Sequence, residues 1–151
     1  MTFGKIYEFS SLVVIAPGEP NEERIVFRPT ELVDLTCFGM WICAQREDES
    51  VVPLTNHFYW FGRRSVAPPS WICLFTGQGE YRELAHRETG VPVYCFHWGY
   101  AETIFTHRQI VPVLFRFDNF NIGEHSVELP SLQPTPEAKQ ISDKSKPETA
   151  S

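Results

Sequence analysis

Trp71-Ile72-Cys73-Leu74-Phe75-Thr76-Gly77-Gln78-Gly79 reads as a fully apolar strand stopped by a tight glycine turn. A phosphate-binding loop needs a third glycine, where Arg82 stands, and a helix after it, which is missing. Just upstream, His57-Phe58-Tyr59-Trp60-Phe61 is nearly all aromatic, and Gly62 to Pro69 forms a loop ending in Pro68-Pro69. Downstream, Gln78 to Glu88 supports a turn of helix at most. Val91 to Trp98 then alternates, with Tyr94, Phe96 and Trp98 on one face.

The same grammar extends in both directions. In Glu22 to Pro29, Ile25 and Phe27 face one way and Arg24, Val26 and Arg28 the other. In Leu32 to Arg46, Leu35, Cys37, Trp41 and Cys43 share one parity, and Phe38, Met40 and Ile42 the other. Gly39 in its middle implies a bulge or a break. Arg46-Glu47-Asp48-Glu49-Ser50 is a surface turn, and Phe3 to Ala16 is one further extended segment. In Ile110 to Phe117, Val111, Val113, Phe115 and Phe117 are expected inward. No sustained i, i+3, i+4, i+7 stripe is found. About seven or eight short strands with turns between them predict an all-β fold, an immunoglobulin-like antiparallel β-sandwich.

Composition sets the boundaries. All 21 aromatic residues lie at or before Phe120, and four of the 12 prolines fall after Asn121. The expected organisation is a folded domain over residues 1–123 and a disordered polar tail over 124–151. The net charge of −6 opposes bulk attraction to nucleic acid or anionic membrane. No run approaches the roughly 20 apolar residues of a membrane span. Lys5 is followed by Glu8 and only the short apolar stretch Leu12 to Ala16, too short for a signal-peptide core. The four cysteines sit among large apolar neighbours, as free buried thiols would, which favours a reducing, intracellular (cytoplasmic) setting.

The order of motifs resembles the lamin tail domain family over about residues 22–122. The matching pieces are Glu31-Leu32-Val33-Asp34-Leu35-Thr36 with the later Trp41; His57 to Phe61 with Pro68-Pro69-Ser70-Trp71; Ile72 to Gly79; and Trp98-Gly99 leading to Ile104-Phe105 and Ile110 to Asp118. Cys37-Phe38-Gly39-Met40 intervenes before the Trp, and His107-Arg108-Gln109 replaces a closing Gly-Asp turn. The resemblance implies an immunoglobulin-like sandwich used as a non-enzymatic interaction surface. It transfers no active-site residues.

Chemistry is sparse. Cys37 and Cys43 are spaced C-x5-C with no C-x2-C pair anywhere, and Cys95 with His97, which share a strand face that His107 could approach, reads rather as core plus strand end, so neither a metal nor a cofactor is expected. There is no Gly-x-Ser-x-Gly elbow, and the five histidines are scattered. A small enzyme remains an alternative if His97 and His107 line one pocket.

The expected partner-binding residues are Tyr59 and Phe61 on the aromatic strand, Arg63 and Arg64 just after it, and Trp98 and Tyr100 where the Val91 to Trp98 strand exits into its loop. Aromatic and Arg side chains dominate protein-binding hot spots. The bland readings are a central strand buried on both faces and an aromatic corner plugging one end of the sandwich. The expected activity is protein binding or self-association. The alternative is a nucleic-acid-associated module acting through Arg63, Arg64 and nearby rings.

Overall fold

The computed structural model describes residues 4–125. It is all-β. Ten strands appear among the described residues: β1 (Phe9–Ile15), β2 (Arg24–Pro29), β3 (Val33–Asp34), β4 (Phe38–Gln45), β5 (Val51–Trp60), β6 (Ser65–Val66), β7 (Trp71–Phe75), β8 (Arg82–Ala85), β9 (Pro92–His97) and β10 (Ile110–Arg116). A five-stranded sheet runs β1-β2-β7-β9-β8, a three-stranded sheet β10-β4-β5, and β3 pairs with β6.

The two larger sheets pack face to face, as apolar alternation on each demands. Phe9, Ile25, Phe27, Ile72, Leu74 and Phe96 come from the first; Phe38, Met40 and Ile42 come from the second, and all share one core. Phe9 meets Phe38 edge-on at 4.9 Å, and Tyr59 meets Phe96 at 6.2 Å, so β4 lies over β1 and β5 over β9. Glu8 and Arg116, paired at 2.6 Å, join the two sheets at one margin. The buried Glu23 fastens three segments. Its carboxylate accepts from the Thr76 hydroxyl and from the backbone N–H groups of Gly18, Ile104 and Phe105, at 2.7–3.0 Å.

Several expectations change. The sandwich is not wholly antiparallel, because β7 and β9 pair in parallel, Trp71 opposite Val93 through Phe75 opposite His97. The turn of helix expected in Gln78 to Glu88 is instead the edge strand β8, which pairs antiparallel with the far side of β9. The break near Gly39 falls just before it, in the 3-10 turn Leu35–Cys37 capped by Asp34. Gly39 itself is continuous strand, and a Cβ there would run into the Phe58 ring. Cys37 leaves the strand parity through that turn and is exposed, whereas Cys43, Cys73 and Cys95 are buried as expected.

The facing of β10 is reversed. Ile110 and Leu114 pack on the core, while Phe115 meets Trp41 and Phe117 meets Phe58 on the opposite side. Both parities of this strand are apolar, so alternation alone does not choose. Its register with β4, which sets Leu114 beside the core residue Met40, chooses.

Contacts along the chain close the body at Asn119, and Phe120 to His125 carry no regular structure. The tail expected from residue 124 lies, beyond His125, outside the described residues.

Candidate interaction surfaces

The aromatic segment does not form a central strand. β5 is the edge of its sheet, and its residues divide between two environments. Tyr59 points to the core side, against Phe61, Phe96 and Trp98, and burial pushes its hydroxyl pKa up. Phe61 is 6 % exposed and packs on Phe27 and Phe96. It is a core residue, so it leaves the partner-binding set, and Tyr59 contributes mainly to packing. The reason is local: Phe61 follows the strand end and turns back over the core before Gly62, whose φ of +77° reverses the chain.

Arg63 and Arg64 also separate. Arg63 is exposed. The Arg64 guanidinium lies 3.9 Å from the Tyr81 ring centroid and pairs with Glu83 at 2.9 Å, while Tyr81 donates to the same carboxylate oxygen. The adjacent arginines are therefore no joint cationic patch.

Trp98 and Tyr100 form the aromatic corner. Trp98 meets Tyr59 and Tyr100, and the Tyr100 ring stacks on His57 at 5.1 Å. The Tyr100 hydroxyl donates to the Asn56 carbonyl at 3.0 Å. This corner ties the end of the five-stranded sheet to β5.

The other side of β5 carries the surface that the sequence did not single out. Against β4, five residue steps of β5 (Phe58 to Pro53) face two of β4 (Trp41 to Cys43), a wide bulge. Asn56 adopts φ +62° within it, and the Trp41 indole donates to the Leu54 carbonyl across its mouth. On either side of the bulge, the positions facing away from the core are apolar. β5 presents Val51, Pro53, Phe58 and Trp60; β4 presents Trp41, with Cys43 beside it fully buried; β10 presents Val111, Val113 and Phe115. With Phe117 their rings form a continuous layer: Trp41 meets Phe58 edge-on at 5.4 Å and Phe115 at a tilt at 5.6 Å, and Phe58 meets Phe117 edge-on at 5.8 Å. Trp60 is 47 % exposed and Val51 40 %. Gln45 is the one polar side chain among these paired positions, and none is charged.

Comparison with protein-family models, curated proteins and solved structures found no match.

The histidines do not converge as an enzyme pocket at His97 and His107 requires. His107 lines an open cleft with His57, Tyr100 and Glu102. There His57 Nδ1 faces the Thr55 carbonyl at 2.6 Å, and no hydrogen bond or ion pair joins it to Glu102 or His107. His97 lies elsewhere, stacked on Phe75 at 5.1 Å and pressed against Gly79; burial and then Arg82 hold its pKa down. No group of three metal-ligating side chains exists among the described residues. No helix among them is long and apolar enough to cross a membrane.

Proposed function

We propose that this chain is a non-catalytic protein-interaction or assembly module, docking through the solvent-facing side of β10, β4 and β5. The observation that carries the reading is a three-stranded face whose paired outward positions hold linked aromatic rings and no charge. Soluble surfaces seldom leave such an area without a use, and Trp and Phe on a rigid sheet supply contact area at little entropic cost. Sheet-to-sheet stacking with a second copy or with another β-protein fits its flat shape. The two-sheet body and the motif order Asp34-Leu35-Thr36, Trp41, Pro68-Pro69 and Trp98-Gly99 support an immunoglobulin-like sandwich of the lamin tail type, in which such a role is familiar.

Val113 is half-buried in the middle strand positions of this face, opposite Trp41. Val113→Asp places a charge among the rings with little change of size. Affinity capture with the full chain, read by mass spectrometry beside sedimentation of the purified protein, compares wild type, Val113→Asp and Arg63→Glu. Partners or self-association retained by wild type and Arg63→Glu but lost in a folded Val113→Asp support the reading. An identical set for all three overturns it.

A further inference from the structure

The opposite outer surface, on the five-stranded sheet, has a different chemistry. Register aligns its outward side chains in three rows. Ile15, Arg24, Phe75 and His97 make one; Val13, Val26, Cys73, Cys95 and Arg82 the next; Arg28, Trp71, Val93 and Leu84 the third. The centre is the apolar cluster of Val26, Cys73 and Cys95, with Val13 46 % and Leu84 48 % exposed beside it.

Three arginines ring this centre. Arg28 lies 4.3 Å from the Trp71 ring centroid and Arg24 5.6 Å from that of Phe75. Arg82 sits opposite Cys95 at the far side. Arg24 and Arg28 are four residues apart on one strand, about 13 Å. No outward position on the five strands is Asp or Glu. Glu83 on β8 faces the other way and is taken by Arg64 and Tyr81. None of the three arginines forms an ion pair among the described residues. Arg24 donates to the Glu22 carbonyl at 2.7 Å, but none of the three meets a carboxylate among the described residues, and in a chain of net charge −6 this is a local concentration of positive charge on an apolar floor.

We infer that this face binds an acidic polypeptide segment that also carries aliphatic side chains. Guanidinium forks match carboxylates bidentately, and Arg held over a ring loses little freedom on pairing. The exposed Val13, Ile15 and Leu84 need apolar partners, which a peptide supplies and a sugar-phosphate strand does not. Base stacking is also poorly served, because Arg28, Arg24 and His97 already cover the Trp71 and Phe75 rings.

The test uses the full chain and a fluorescein-labelled ten-residue peptide alternating Glu and Val, with a Lys/Val peptide and single-stranded oligo-dT as comparisons. Fluorescence anisotropy follows binding, and amide NMR shifts map it. The expected result is saturable binding of the Glu/Val peptide alone, with shifts on β2, β7, β9 and β8 rather than on β4, β5 and β10. Arg24→Glu/Arg82→Glu weakens it about tenfold or more, and Arg63→Glu leaves it unchanged. Arg24→Gln/Arg82→Gln, which keeps the apolar stems, gives an intermediate loss if the paired variant fails to fold. No saturable binding, equal loss in Arg63→Glu, shifts confined to β4, β5 and β10, or oligo-dT binding as tightly as the peptide overturns the proposal.

Discussion

Glu23 is the middle of three consecutive charged residues, Glu22 to Arg24, yet it is 1 % exposed. It is held there because four donors from three segments converge on its two oxygens. Glu23→Ala strips a partner from three backbone N–H groups and the Thr76 hydroxyl. A buried donor left unpaired costs about 1–3 kcal/mol, so urea melts should show a loss of about 3 kcal/mol or more with the secondary structure unchanged at low denaturant. The cysteines give a second prediction. Burial pushes the Cys73 thiol up to about 12 and raises Cys43 and Cys95 as well, while Cys37 is exposed in its 3-10 turn. Only a thiolate reacts rapidly. A chromogenic disulfide reagent at neutral pH should therefore count one fast thiol in the native protein and four in denaturant.

Strand identity was largely legible and strand facing was not. Trp71 to Phe75 announces itself by an unbroken β-rich run and Arg24 to Pro29 by alternation, whose Ile25 and Phe27 both enter the core. β10 failed because both of its faces are apolar, so a pairing partner had to decide. β8 failed because its four residues, Arg82 to Ala85, lack any apolar period; an edge strand facing solvent needs none. The bulge of β5 was invisible because Thr55-Asn56 looks like ordinary polar strand. Its geometry rests on Asn56, whose left-handed backbone Asn tolerates and a β-branched residue does not. Asn56→Val should destabilise by about 1–2 kcal/mol in thermal or urea melts, while Asn56→Gly stays near wild type. Equal melting of the two variants removes the claim that backbone conformation, rather than the Asn side chain, matters there. The candidate site followed the same divide: the aromatic richness of residues 57–61 pointed to the right strand, but Tyr59 and Phe61 face the core, while Phe58 and Trp60 reach the outer layer.

Aromatic contacts close the two layers at both margins, and one margin adds an ion pair. At the β9 side the sheets are joined by rings, Tyr59 with Phe96 and Trp98. At the β1 side the Phe9–Phe38 ring contact is reinforced by the Glu8–Arg116 pair. The backbone N–H of Glu8 and then the Arg116 guanidinium hold that carboxyl below its ordinary 4.5, against the opposing pull of burial. A carboxyl with a depressed folded pKa stabilises the protein above its unfolded pKa. That contribution is lost as pH falls through the folded value. Glu8→Gln should therefore lower stability at neutral pH and flatten the decline of stability below about pH 4.5, measured by urea melts across the acid range. A decline as steep as in wild type would place the acid sensitivity elsewhere.

The parallel pairing of β7 with β9 bears on the order in which the protein is made. A ribosome delivers β7, then β8, then β9. In the finished sheet β8 touches only β9, so the second strand delivered has no seat until the third arrives and slips between the other two. The three-stranded sheet waits longer still, because β4 acquires its second neighbour only with β10 at residues 110–116. Neither layer can close on a nascent chain shorter than nearly the whole body. During that interval β5 and β7 have only their earlier neighbours β4 and β2, and their core faces lack the layer that later covers them.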